Sequence, residues 1–378
     1  MPLPPLGLYI HLPWCERKCP YCDFNSHESS HIPQQRYVEA LLADLETDLP
    51  LVRGREVATL FIGGGTPSLF SAAAIAQLLA GIASRVALAN SLEATMEANP
   101  GSAEADKFAG FAQAGINRLS LGIQSFDDKR LQALGRIHNS DQAHAAIELA
   151  RTSGFDSFNI DLMHGLPDQN RAGALADLRH AITYQPPHLS WYQLTIEPNT
   201  VFHKRPPLLP AEDTLADIQD DGEHLLSFEG YNQYEVSAYS TQGSECRHNA
   251  NYWSFGDYLG IGAGAHGKIT LGPGQIRRYA KKRQPDQYLA ASGGFTASDR
   301  LIEPADIIGE FMLNALRLNA GFELEQFEQR TGLDRLSLEP QLESLCGREL
   351  LQRVGDRVSA TPTGRRFLDS VIAEFFPD

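Results

Sequence analysis

From its first residues to about Pro198 the chain alternates short runs rich in β-branched and aromatic residues with helical stretches, and this alternation restricts the fold more than any other feature. Such an order is the signature of βα units built around a parallel sheet. The strand-like runs are GLYIHL, VATLFIGG, SLEATMEANP, INRLSLGIQSF, FDSFNIDLMHGLP and HLSWYQLTIEP. Between them lie stretches such as PQQRYVEALLADLETDL and QAHAAIELARTSG, whose apolar residues recur every three and four positions, as on one face of a helix. Six strands with their helices predict an α/β protein, an incomplete parallel (β/α)6 barrel. The most apolar window, Ala72 to Ala89, is interrupted by Gln77, Ser84 and Arg85 and weakened as a helix by Gly81, so it reads as a helix packed on the barrel and not as a membrane span.

After Pro198 the pattern changes. A proline-rich link, HKRPPLLPAED, leads to a helix near Asp213 to Phe228, a strand YNQYEVSAYS and a loop CRHNANYWSFGDYLGIGAGAHG. From roughly Glu303 onward three short helices precede two strand-like pieces flanking VGDR and a last helix, the order of a winged helix. The expected division is a barrel over 1–200, an extension and linker carrying the HNANYW loop over 201–300, and a smaller α+β, winged-helix-like unit over 301–378. A length of 378 residues suits one large domain with a smaller one. The formal charge of −15 disfavours a protein that grips phosphate backbones, so no nucleic-acid partner is expected even for the winged segment. The five cysteines are odd in number and three are clustered, which does not read as a secreted disulfide framework and points to a reducing, cytoplasmic compartment. The N-terminus lacks the basic region, apolar run and small-residue cleavage site of a signal peptide. No internal repeat of fixed period is present.

Cysteine, glycine-rich, Glu-Ala-Asn-Pro, glutamine and aspartate positions all fall at or just after the ends of expected strands, the face on which parallel barrels build their sites. The densest of these is YIHLPWCERKCPYCDFNSH, which puts Cys15, Cys19 and Cys22 into eight residues. Zinc would need a fourth ligand, from His11 or His27, to close its tetrahedron. A redox pair would use CPYC alone. A cubane cluster uses all three thiols of one loop, each on a different iron, and leaves a fourth iron open to a small chelating ligand.

This C-x3-C-x2-C spacing, with Tyr21 before the third cysteine, resembles that of the radical S-adenosylmethionine superfamily, and further motifs agree in order. GGGTPS, with Gly64, Gly65 and Thr66 at its centre, looks like the family's glycine motif, whose backbone approaches the methionine amino group of the cofactor. Tyr9 in YIHLP, Glu97 in EANP, Gln124 in GIQSF, Arg136 in LGRIH and Asp161 in NIDLMHGLP match cofactor-contacting positions of the coproporphyrinogen-dehydrogenase branch. The resemblance implies a 4Fe-4S cluster on Cys15, Cys19 and Cys22 and S-adenosylmethionine held by the other residues. An arginine can pair with the methionine carboxylate, and carboxylates and amides can bind ribose hydroxyls.

One departure falls inside the fingerprint. The oxygen-independent decarboxylases of this branch carry a fourth cysteine two residues after the third, where this chain has Phe24. HNANYW, from His248 to Trp253, also matches a motif of a paralogous group of heme chaperones. A neutral imidazole is a good axial ligand for heme iron and Tyr252 and Trp253 offer flat apolar faces, so His248 is the candidate heme ligand; alternatively it bonds a loop while the aromatics fill a junction. Cys246 lies two residues away without a supporting pattern. Two readings follow. In the first, the resemblance implies a chaperone that delivers heme to apo-proteins of the respiratory chain at the cytoplasmic membrane. In the second, it is an oxidative decarboxylase of porphyrinogen propionates. The run RRYAKKR, Arg277 to Arg283, reads as a solvated basic face, or as a receiver of heme propionates, an acidic partner or an anionic membrane surface. Peripheral membrane attachment and a homodimer are both compatible with the sequence.

Overall fold

Each of the six expected runs forms a strand in the computed structural model, which describes residues 3–101 and 105–377. They are β1 (Leu6–Leu12), β2 (Val57–Gly64), β3 (Leu88–Ala98), β4 (Arg118–Gln124), β5 (Ser157–His164) and β6 (His188–Gln193), paired in parallel in chain order. A seventh parallel strand, β7 (Asp257–Ile261), joins the free edge of β1 with Leu6 opposite Asp257. It lies in what the sequence suggests is a loop. Antiparallel strands His266–Gly272, Gln275–Lys281 and Thr296–Leu301 extend the sheet beyond β7, and Ala238–Ser240 and Asn232–Glu235 extend it beyond β6, making 12 strands in one sheet.

The parallel strands alternate over their central residues. Leu8, Ile10 and Leu12 of β1, Leu60 and Ile62 of β2, Leu119 and Leu121 of β4 and Ile160 and Leu162 of β5 are fully buried in the main apolar core with the surrounding helices. The residues between them face the concave side and are mostly polar. Period two is therefore a segregation of an oily outer face from a wet inner one. Helix Gln34–Val52 covers the outside with Tyr37, Val38, Leu41 and Leu45, and helix Ala72–Ala83 packs beside it through Ile75, Leu78 and Ile82. Gly81, a weak helix former, is where these two helices meet: a Cβ there would come within 2.5 Å of Leu42. Among the described residues, no helix is long and apolar enough to cross a membrane.

Helix Arg247–Trp253, also within the expected loop, carries the chain from the β6 flank of the sheet to β7, packed against β1, β2 and β7. Its amino end is capped from a distance, the backbone N–H groups of Arg247 and His248 donating to the Glu93 carboxylate at 3.0 and 2.9 Å. A second core, with Phe311, Phe322, Phe327, Leu342 and Val358, organises the C-terminal part: helices Pro304–Ala315, Leu324–Thr331 and Glu339–Gly347, then the hairpin Leu351–Val354 and Arg357–Ala360, in the anticipated winged order.

Candidate functional site

The C-terminal ends of β1 to β6 open on a cavity of about 480 Å³ lined by Cys15, Cys19 and Cys22 together with Gly64, Gly65, Thr66, Glu97, Gln124, Arg136 and Asp161. That volume lies within the usual range for small-ligand sites.

The cysteine loop is pinned at both ends. Trp14–Cys15 pairs in parallel with His27–Glu28, and the N–H groups of His27 and Ser29 donate to the carbonyls of Pro13 and Cys15 at 2.7 and 3.1 Å. Asn25 fastens the far side, its amide donating to the carbonyls of Ala263 and Arg283, both at 2.9 Å. All cysteines are free, and Cys15 is buried while Cys19 and Cys22 are partly open. Burial pushes the thiols of Cys15 and Cys22 up, so an uncompensated thiolate is disfavoured there and binding iron would displace a proton. Among the described residues no three His, Cys, Asp or Glu side chains gather around one point as a single ion requires. A cubane takes each thiolate on a different iron, so three spaced thiols in one rigid loop fit it.

Two glycines of GGGTPS are required by packing. Gly64 has φ of 116°, and a Cβ on it would lie 2.7 Å from the His11 ring; one on Gly65 would lie 2.4 Å from the Trp14 carbonyl. The Gly64 N–H donates to Glu97 at 3.2 Å. Burial, with Asp161 nearby, pushes the Glu97 carboxyl up to about 7. Asp161 accepts from Ser120 Oγ at 3.0 Å and Asn159 Nδ2 at 2.7 Å, and burial holds its carboxyl above the usual range. It lies within β5 and not at its end, as the spacing suggests. Gln124 ends β4 in the left-handed region at φ 69° and accepts from the Tyr192 hydroxyl at 2.9 Å. A non-glycine residue in that region, beside a break in strand register, is a common mark of a functional position. Arg136 donates to Asn99 Oδ1 at 2.6 Å, to the Gly122 carbonyl at 2.7 Å and to Cys19 Sγ at 3.6 Å, which puts its fixed positive charge beside the cysteine loop.

Several lining residues escape a search of strand ends. Ser120, Ser190 and Tyr192 are inward positions of β4 and β6, and their signal is the period-two alternation itself. Asn99 is the third residue of EANP and bonds Thr66 Oγ1 at 2.9 Å. Arg317, which follows the first C-terminal helix, carries no local signal. It pairs with Glu235 at 3.1 Å and stacks 4.3 Å over the Trp253 ring, and all three line the cavity.

Two of the expected site residues and the basic run lie as follows. Tyr9 lines a neighbouring cavity, with Tyr252, Tyr258 and His266, and not the main one. His248 is 1% exposed, shares hydrogen bonds from Nδ1 to Thr59 Oγ1 at 2.9 Å and from Nε2 to the Tyr252 hydroxyl at 3.0 Å, and stacks on Phe61. Burial and the Arg118 charge lower it to about 3, so it is neutral, but in this conformation neither nitrogen is offered to iron. The run RRYAKKR is not a solvated basic face, because Arg277 pairs with Asp299, Arg278 with Glu310 at 2.5 Å, and Lys281 is buried between Asp44 and Asp48.

Known proteins resemble this chain in sequence and fold. The profile of the Radical SAM superfamily matches residues 9–178, and that of the HemN C-terminal domain matches 302–367. The solved structure of coproporphyrinogen III oxidase (HemN) from Escherichia coli superposes with a TM-score of 0.83, covering 99% of this chain and 91% of that one; at 23% identity the likeness concerns the fold. Fold and profile together define the class, a radical S-adenosylmethionine scaffold with a HemN-type C-terminal domain. In sequence, the heme chaperone HemW of Escherichia coli (strain K12) is 50% identical over 377 residues, spanning 100% of this chain and 99% of that protein. HemW of Bacillus subtilis (strain 168) is 32% identical over 97% and 98% of the two chains. The mitochondrial radical S-adenosyl methionine domain-containing protein 1 of Mus musculus is 35% identical over 98% and 87%. The chain belongs to the HemW family.

Proposed function

We propose that this protein is a heme chaperone that carries a 4Fe-4S cluster on Cys15, Cys19 and Cys22, binds S-adenosylmethionine in the main cavity, and holds heme for delivery to apo-proteins such as respiratory-chain heme enzymes. The observation that carries the reading is Phe24. It stands two residues after the third cysteine of the loop, where the decarboxylases have a thiol, in a chain half-identical to a relative named a heme chaperone. Its side chain is 61% exposed at the cavity's lip and has no donor atom. Within the cavity, Arg136 would meet the methionine carboxylate, Glu97 the amino group beside Gly64, and Gln124 and Asp161 the ribose. Cys15, Cys19 and Cys22 would hold the cluster, which, when bound and reduced, would be able to supply an electron to the sulfonium. Work at the inner face of the cytoplasmic membrane belongs to the same reading.

The retention of Glu97, Gln124, Arg136 and Asp161 around one cavity favours a second reading, oxidative decarboxylation of a porphyrinogen. Two measurements separate them. Anaerobic reconstitution is expected to give about four irons per chain, lost when the three cysteines are replaced by alanine, and hemin added to the loaded protein should yield a saturable Soret band. A loaded protein that binds no hemin but converts coproporphyrinogen to a divinyl product in the presence of S-adenosylmethionine would make it the enzyme.

A further inference from the structure

The second cavity on the concave face is assigned to no ligand by the cluster or the cofactor. It has a volume of about 490 Å³ and lies between β1, β7, the strand His266–Gly272 and helix Arg247–Trp253. Its walls include Tyr9, Tyr252 and Tyr258, whose rings supply flat, largely apolar surface with a polar tip. Tyr252 and Tyr258 meet edge to face at 4.4 Å between ring centres. Phe24, Gly64 and Glu97 line this cavity and the main one alike, so the two adjoin.

We propose that this cavity receives heme edge-on, with His266 as the iron ligand and Arg283 at the rim meeting a propionate. The assignment rests on the heme-chaperone reading and names its site.

The histidines on this side of the molecule differ in commitment. His11 is 5% exposed, with Nδ1 bonded to the Tyr9 hydroxyl at 3.1 Å and Nε2 to the Asn25 carbonyl at 2.9 Å. His248 is committed in the same way. The His266 ring is exposed, lines the cavity and makes no hydrogen bond to any described residue. Its backbone is fixed: it opens an antiparallel strand opposite Ala280, and Gly260 lies so close that a Cβ there would meet the His266 carbonyl. A ligand on rigid backbone with a free ring nitrogen is pre-organised. Arg283 has the complementary property. Arg277, Arg278 and Lys281 of the same run are neutralised by carboxylates, whereas Arg283 is exposed and is in no ion pair with a described residue. The main cavity is the poorer place for a dianionic porphyrin: Asp23, Asp161, Glu197 and Glu235 line it and not the second cavity, and they outnumber its Arg17, Arg136 and Arg317. Phe24 then has a role its chemistry suits, as an apolar flank at the shared lip.

The test is a hemin titration of the reconstituted full chain, read by Soret absorption and by electron paramagnetic resonance for nitrogen ligation, with circular dichroism melts of each variant. His266→Ala is expected to weaken hemin binding by about tenfold or more and to lose the imidazole signature, which added imidazole should restore. Arg283→Ala should weaken binding severalfold without changing the ligand spectrum. His224→Ala, at an exposed histidine on another helix, controls for surface adsorption and should bind as wild type. If the wild type takes up hemin and a folded His266→Ala, or His266→Gln as a second variant, keeps the same affinity and spectrum, the site is wrong while the chaperone reading stands. If the wild type takes up no hemin, that reading fails and the site with it.

Discussion

Glu97, proposed above to meet the amino group of the cofactor, carries a stability cost. Its carboxyl is pushed up to about 7, first by burial and then by Asp161, while its N–H bond from Gly64 pulls the other way. A carboxyl whose folded pKa is raised binds more protons in the native state than in the unfolded one between about 4.5 and 7, so stability is greatest below that window and falls as pH rises through it. Glu97→Gln keeps an oxygen for Gly64 but cannot ionise. The cluster-free variant is therefore expected to match wild type in denaturant unfolding near pH 5 and to exceed it near pH 8 by on the order of 2–3 kcal/mol. Equal stabilities at both pH values would mean that Glu97 is better hydrated than its burial indicates.

At the scale of the element, helix Arg247–Trp253 distributes its side chains among three environments. His248 faces Thr59 and Phe61, Asn249 and Trp253 face the main cavity, and Tyr252 faces the second one. Seven residues form too short a helix to be stable alone, and its N-cap residue, Cys246, makes no side-chain cap bond. The Glu93 carboxylate does that work from β3, accepting from two N–H groups that point out of the helix end, where the helix dipole also favours an anion. Glu93→Ala should cost about 1–2 kcal/mol and loosen the helix, seen as faster amide exchange at Arg247 and His248 and a lowered Tm. Unchanged exchange at those amides would show that packing alone holds it.

At the scale of the whole molecule, the sheet extension is locked to the outer helix layer by a buried ion cluster. Lys281 Nζ lies 2.6 Å from Asp44 and 2.7 Å from Asp48, with its side chain fully buried, and Asp44 also accepts from the Tyr288 hydroxyl at 2.6 Å. Burial pushes Asp44 up while Lys281 pulls it down. Removing the cation leaves two buried carboxylates unpaired, so Lys281→Met is expected to cost about 3–5 kcal/mol in denaturant unfolding near neutral pH, with part of the loss recovered as pH falls and the carboxylates protonate. A loss below about 1 kcal/mol would mean that water reaches the cluster.

By itself the sequence determined what depends on neighbours along the chain. β-Branched runs placed six of the seven parallel strands, because a strand's preference and its period-two pattern are local properties; β7 was missed. Three thiols within eight residues marked the cysteine loop for the same reason, since so short a segment can hardly separate them. Glu97 and Gln124 were legible because parallel strands deliver their ends to one rim, whereas Asp161, inside β5, and Arg136, in the loop after helix Asp128–Ala133, were legible only through the motifs that carry them. The remainder was decided by contacts between residues far apart in the chain. His248 looked available and is buried, because a helix crossing the concave face packs it on β2. Arg277, Arg278 and Lys281 looked like a patch and are paired, because their carboxylates come from other elements. The second cavity needs Tyr9, Tyr252, His266 and Arg283 at once, which only closure of β7 onto β1 brings together.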